Sequence, residues 1–61
     1  MYQPEKLKER RVAQGLTQQE LANALGVSKQ AYSAWERGVK VPAPDKVEQL
    51  EKLLSVPKGY F

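Results

Sequence analysis

Residues 17–38 read TQQELANALGVSKQAYSAWERG, and the reading of the whole chain turns on them. Thr17 is a good N-cap and Glu20 follows three residues later, so T-Q-Q-E has the form of a capping box. Leu21, Ala22 and Leu25 then recur at helical spacing, the inner face of a helix of about two turns. Gly26 stands where a helix end wants a left-handed residue without a Cβ. Ser28 is a second N-cap. After it Ala31, Tyr32 and Trp35 share one face, and Gly38 ends the run. Two helices this short, joined by two or three residues, bury little if they lie antiparallel. They are expected to cross steeply.

Composition narrows what such a pair can serve. Sixty-one residues make one domain of marginal stability. There is no Cys, hence no disulfide and no thiolate metal site, and no His for acid–base work or metal ligation. The carboxylates are spread among lysines at helix-surface spacing. No enzyme, cofactor, metal or small-molecule ligand is expected from this inventory. No apolar run approaches a membrane span and no signal-peptide pattern is visible, so the expected compartment is the cytoplasm. Net charge is +3. Residues 1–40 hold seven Lys/Arg against four Glu, and residues 41–61 hold three Lys against three acids. The whole excess therefore lies with the paired helices, a modest footprint for a polyanion.

Outward from the pair, Pro4 suits the first position of a helix that Gly15 ends, with Leu7, Val12, Ala13 and Leu16 as a thin apolar stripe. Residues 1–3 read as a loose start. Arg10 can lay its methylene stem on apolar surface with its guanidinium in water. VKVPAP at 39–44 is a loop with Lys40 at its tip. Pro44 and Asp45 open a further helix, with Glu48 in its first turn and Val47, Leu50, Leu53 and Leu54 as its core stripe. Val56-Pro57 starts a last turn, and Tyr60 and Phe61 fold back on the core. Glu9 and Glu51 read as exposed. The expected elements are 4–14, 17–25, 28–37, 45–54 and 57–60. Such an abrupt aromatic ending fits either a very compact complete protein or the first domain of a longer one.

Steeply crossed short helices are the helix-turn-helix geometry. The chain resembles the Cro and phage-repressor type of helix-turn-helix family, the XRE-like bacterial and phage regulators. The resemblance is carried by L-T-Q-x-E-L-A before the turn, L-G-V-S through it and W-E-R-G at the end. L-K-E-R-R-V-A-Q-G-L-T-Q ahead of these also fits the family's first helix, so nearly the whole chain is covered. Arg10 departs from the pattern, which usually has an aliphatic residue there. The resemblance implies an all-α fold, a compact repressor-like domain of four to five helices. It also implies sequence-specific binding of a double-stranded DNA operator, as a transcriptional regulator and most often a repressor, with a homodimer on two half-sites.

In this motif the second helix enters the major groove with its N-terminal part against the bases. Its phase turns Lys29, Gln30, Ser33 and Ala34 away from the core. Gln can bond adenine through both amide atoms, Lys can reach guanine O6 and N7, and Ala can touch only a thymine methyl. By family position, Lys29, Gln30 and Ala34 are base-edge residues, and Ser33 serves a base or a phosphate. Gln18 and Ser28 stand at helix N-termini, where free N–H groups favour phosphate, and the family uses both as phosphate clamps. Arg37 and Lys40 follow the second helix as further phosphate contacts. The family also pairs Arg at the position of Arg11 with Glu at that of Glu36. The planar guanidinium can hold that carboxylate in bidentate fashion and still aim a donor at a phosphate.

Three other readings compete. An antitoxin or anti-repressor would use the same fold to bind a protein, and a large exposed apolar patch on the last helix would favour it. A non-specific nucleic-acid coat protein would show no sequence preference. Trp35 and Tyr32 could form a stacking platform for single strands, although their phase places them with Leu21, Leu25 and Leu50.

Overall fold

The computed structural model describes residues 1–61 and contains four helices and no strand. They are α1 (Pro4–Ala13), α2 (Gln18–Leu25), α3 (Lys29–Glu36) and α4 (Pro44–Leu53). The all-α architecture and the helix-turn-helix pair stand as expected, with helix bounds within one residue. The fifth element is only a turn, closed by Tyr60 N–H donating to the Pro57 carbonyl at 3.1 Å.

Local chemistry sets the ends. At α2 the capping box is complete: the Glu20 N–H donates to Thr17 Oγ1 at 3.0 Å, and the Thr17 N–H donates to Glu20 Oε1 at 2.8 Å. Gly26 ends α2 at φ +70°, a left-handed conformation that costs glycine little. Ser28 Oγ accepts from the Ala31 N–H at 3.1 Å and starts α3. Gly38 does two things after α3. It takes φ +74°, and a Cβ there would come within 3.1 Å of Pro4 Cγ, so the start of α1 rests on the end of α3.

The core is Leu7, Leu21, Ala22, Leu25, Tyr32, Trp35, Leu50, Leu54 and Phe61. Tyr32 and Trp35 meet edge to face, ring centres 5.8 Å apart. Both are buried, so neither offers a stacking platform for single strands, and the Tyr32 hydroxyl lies inside the core. Phe61 folds in as expected, with the Tyr60 ring edge-on beside it.

Helical phase corrects four sequence expectations. At about 100° per residue, Val12 lies about 140° from Leu7 around α1. It is 57% exposed, and Ala13 is exposed too. The inward face of α1 is instead Leu7, Arg10 and Arg11, within about 60° of Leu7, and the exposed Gln14 follows at the C-cap on the same side. On α4, Leu53 is exposed, since consecutive residues point about 100° apart and Leu54 holds the core side. Glu51 was expected on the surface and is buried. Its phase is close to those of Val47 and Leu54, and its Oε2 accepts from the Gly59 N–H at 2.7 Å.

Polar side chains also tie the elements together. Arg10 Nε and Gln14 Nε2 both donate to the Leu54 carbonyl, at 2.9 and 3.0 Å. The Arg10 guanidinium thus anchors the end of α4 through its Nε. Lys46 Nζ donates to the Leu25 carbonyl at 2.9 Å. Tyr2 and Gln3 are anchored as well, whereas Met1 is fully exposed. Tyr2 donates its hydroxyl hydrogen to the Trp35 carbonyl at 2.8 Å, and the Gln3 N–H donates to the Phe61 carbonyl. Burial, with the nearby charges of Glu36 and Glu5, pushes the Tyr2 hydroxyl up to about 12.

Trp35→Ala should remove about 3–5 kcal/mol, about all that a domain of this size has. Circular dichroism should show the variant mostly unfolded at room temperature. A well-folded Trp35→Ala chain would contradict the core position of this ring.

Candidate nucleic-acid interface

The outer side of α3 follows from the residues that hold its inner side. With Tyr32 and Trp35 turned inward, Gln30, Ser33 and Arg37 fall on the opposite arc, and Lys29, about 60° from Tyr32, stands at its edge. Lys29, Gln30 and Arg37 are exposed and Ser33 is half-buried. Arg37 Nε donates to Ser33 Oγ at 3.3 Å, one helical turn back along this arc. Ser28, at the start of the helix, is exposed, and so is Lys40 in the loop beyond it. The ion pairs of the chain are Arg11–Glu36 and Lys52–Glu48. Lys29, Arg37 and Lys40 therefore present their charges without a carboxylate partner.

Ala34 does not belong to this surface. It is only 7% exposed, contrary to the outward phase expected for it. Its phase, about 100° from Trp35 and 160° from Tyr32, is outward, so its burial does not come from its place around the helix. The Val39 and Lys40 N–H groups both donate to the Ala34 carbonyl, at 3.0 and 3.3 Å.

Arg11 and Gln18 are committed elsewhere. Arg11 Nε and Nη2 donate to the two carboxylate oxygens of Glu36, the latter at 3.2 Å, and Nη1 donates to the Leu16 carbonyl at 2.7 Å. All three guanidinium nitrogens are engaged, and the side chain is 12% exposed. The expected ion pair is present, and it leaves the expected phosphate role with little to work with. Gln18 Nε2 donates to Glu36 Oε1 at 3.0 Å, so its side chain faces the same carboxylate rather than solvent.

Glu36 is the centre of this cluster. Its side chain is 3% exposed, and Tyr32 adds a fourth donor, its hydroxyl, at 2.7 Å from Oε2. Burial by itself would raise the carboxyl pKa. The hydrogen bonds from Arg11, Tyr32 and Gln18 outweigh it and hold Glu36 below the ordinary carboxylate range. The same bonds raise Arg11, and burial together with the Glu36 bond raises Tyr32. One carboxylate thus joins α1, the first turn of α2 and the last turn of α3, and fixes the tilt at which α3 shows its outer arc. No three His, Cys, Asp or Glu side chains gather as a metal site would need. No helix is long and apolar enough to cross a membrane.

Comparison with known proteins agrees with this geometry. A family model described as Helix-turn-helix matches residues 7–61. The chain belongs to that family. Over 52 residues it is 42% identical to the cryptic phage CTXphi transcriptional repressor RstR of Vibrio cholerae. The match covers 85% of this chain and 47% of the repressor, so the chain spans about half the length of that relative. No solved structure matches it.

The helix-turn-helix pair should be acid-sensitive through Glu36. Well above the ordinary carboxylate range, Glu36 is ionised in folded and unfolded chains alike, and its contribution is complete. As pH falls, the unfolded chain takes up the proton first. The contribution shrinks and is gone once the folded carboxyl is protonated as well. Glu36→Gln should cost about 2–4 kcal/mol near neutral pH, because a buried guanidinium is left without its charge partner. Glu9→Gln, on the surface, should cost under about 1 kcal/mol. Melting temperature followed from pH 7 downward should fall less steeply for Glu36→Gln than for the parent. Parallel curves would remove Glu36 from its central place.

Proposed function

We propose that this chain is the DNA-binding domain of a transcriptional repressor, and that it reads duplex DNA with the outer arc of α3. The observation that supports this most is the division of α3 itself. One arc is immobilised by Tyr32, Trp35 and Glu36. The opposite arc offers Lys29 and Gln30 at its N-terminal end, with uncompensated cations beside it. A major groove is just wide enough for one helix. Lys29 and Gln30 are placed to meet base edges, with Ser33 beside them holding Arg37. Ser28, Arg37 and Lys40 contact phosphates, which sets register without reading sequence. Gln18 contributes at most its backbone N–H at the start of α2, where the helix dipole favours an anion. Repression then works by occupancy in the cytoplasm: two protomers on half-sites about one helical turn, roughly 34 Å, apart exclude polymerase.

The phage repressor that shares 42% identity supports the same reading. A protein-binding role, as an antitoxin or anti-repressor, calls for a large apolar patch on α4. That helix exposes Leu53 over a small groove of about 240 Å³, flanked by Gln49 and Lys52.

Selection from random duplexes should yield a preferred site. On it, Gln30→Ala should cost about 1–3 kcal/mol, with little loss on scrambled DNA, because a bidentate base contact discriminates by that amount. Lys40→Ala should weaken both duplexes alike and make the salt slope shallower by about one unit, one fewer phosphate being neutralised. Equal loss on both duplexes for Gln30→Ala would defeat the assignment of α3 as the reading helix. A parent protein with no preferred duplex would defeat the repressor reading as a whole.

A further inference from the structure

A helix ends with four carbonyls that have no partner inside it. At the end of α3 the donors come from the segment that follows. The Arg37 N–H bonds the Ser33 carbonyl at 3.0 Å, the Val39 and Lys40 N–H groups share the Ala34 carbonyl, and the Gly38 N–H reaches the Trp35 carbonyl at a long 3.4 Å. The Arg37 side chain turns back to Ser33 as well. The polar bonds of residues 37–40 thus run to their own helix. Two contacts that tie this end of α3 to the rest of the fold come from the start of the chain. The Tyr2 hydroxyl donates to the Trp35 carbonyl at 2.8 Å, well inside the Gly38 bond to the same oxygen. Pro4 lies against Gly38, close enough that an added Cβ would meet Pro4 Cγ at 3.1 Å. The start of the chain is itself held, since the Tyr2 ring packs on the core and the Gln3 N–H donates to the Phe61 carbonyl.

We propose that Tyr2 is a positioning residue for DNA binding: its hydroxyl, with Pro4 beside it, holds the end of α3 where Arg37 and Lys40 reach phosphates. What the two cations touch rests on the repressor reading above, whereas the link from Tyr2 to their segment rests on the contacts just given. Tyr2 does not meet DNA, because its ring lies on the core and its hydroxyl hydrogen is given to a backbone carbonyl. A carbonyl oxygen has two lone pairs, and of the two donors at Trp35 the tyrosine is the closer and stronger. Without it the carbonyl keeps only the long bond, and helix ends fray. The long side chains of Arg37 and Lys40 then start from a moving backbone, and fixing them on phosphates costs more entropy. The body of α3 stays in place, because Glu36 still binds Arg11, Gln18 and Tyr32. Lys29 and Gln30 stand more than one helical turn from Trp35, so the choice among sequences should not follow the loss.

The test is affinity against salt for Tyr2→Phe, which keeps the ring and removes only the donor. Selected and scrambled duplexes are both used, below the melting transition. The Trp35 carbonyl retains the Gly38 N–H, so the variant should stay folded, its melting temperature lowered by no more than about 8 °C. It should bind both duplexes about three- to tenfold more weakly, with the ratio between them unchanged, and its salt slope should be shallower by about one unit, as when one phosphate contact is lost. Lys40→Ala should then weaken binding less in Tyr2→Phe than in the parent, since both changes act on one contact. Amide shifts of free Tyr2→Phe should move around residues 35–40 and spare Lys29 and Gln30. Gln14→Met is the control. It removes a bond of the same kind from the Leu54 carbonyl, at the end of α4, and should leave the slope as in the parent. A Tyr2→Phe slope equal to the parent's, losses from Tyr2→Phe and Lys40→Ala that multiply, an equal change of slope in Gln14→Met, or a Tyr2→Phe chain that unfolds would each overturn the proposal. The same titrations keep the two ideas apart. A parent that prefers one duplex, with no change of slope in Tyr2→Phe, sinks the role of Tyr2 alone. A parent with no preferred duplex, whose slope on scrambled DNA still changes with Tyr2→Phe, sinks the repressor reading alone.

Discussion

A single carboxylate organises the molecule. Glu36, at the last position of α3, accepts hydrogen bonds from Arg11 on α1, Gln18 at the first position of α2 and Tyr32 one turn back on its own helix. A buried carboxylate without partners would be costly, and so would a buried guanidinium. Satisfying them together requires all three helices at one relative placement, because the guanidinium fork accepts a carboxylate only in its own plane. The apolar core would tolerate small slides of one helix over another. The charge cluster tolerates far less. The net energy of a buried pair against an apolar replacement can be small, so what Glu36 contributes most is the definition of a single arrangement.

Around it, the same economy recurs with neutral acceptors. A chain of this length encloses few apolar side chains, and much of each helix end stays near its neighbours. Terminal carbonyls of one helix are capped by long polar side chains of another: Arg10 and Gln14 on Leu54, Lys46 on Leu25, Tyr2 on Trp35. Each satisfies an orphan acceptor at a helix end and joins two elements in doing so. No buried side-chain nitrogen or oxygen is left without a partner. The C-terminal turn is held in the same manner from the acceptor side, Glu51 receiving the Gly59 N–H.

How much of this the sequence disclosed depends on the range of the signal. Caps, glycines and prolines act within three or four residues, and they located all four helices to within one residue. The Arg11–Glu36 pair was legible only through resemblance to a family, because nothing local links positions 25 apart. Three of the errors share one cause. Val12, Leu53 and Glu51 were sorted by side-chain type, whereas helical phase, available from the same residues, puts Val12 and Leu53 outside and Glu51 inside. Tyr2 and Gln3 were misplaced and the bond of Arg10 was missed because their partners, the carbonyls of Trp35, Phe61 and Leu54, carry no sequence signature at all. Ala34 is buried although its phase points outward, so phase alone does not reveal its burial. Among the candidate contacts, Lys29, Gln30, Ser28, Arg37 and Lys40 lie exposed as their phase and position suggested. Arg11 and Gln18 turn inward because Glu36 draws every nearby donor.

The two arcs of α3 show why this arrangement suits a reading helix. Tyr32 and Glu36 are four residues apart on the inner side and bonded to each other. Ser33 and Arg37 are four residues apart on the outer side and bonded likewise. The inner pair is buried and continues into α1 and α2. The outer pair stands at the surface, where it leaves Lys29 and Gln30 clear. Bidentate contacts to a base edge depend on placement to a fraction of an ångström, and short flexible side chains cannot supply that if their helix rocks. If α3 reads DNA as proposed, rigidity has to come from the side that faces the core. A cluster of Arg, Gln, Tyr and Glu provides it through directional bonds that leucines alone would lack, and an eight-residue helix, too short to be stable by itself, becomes a fixed edge.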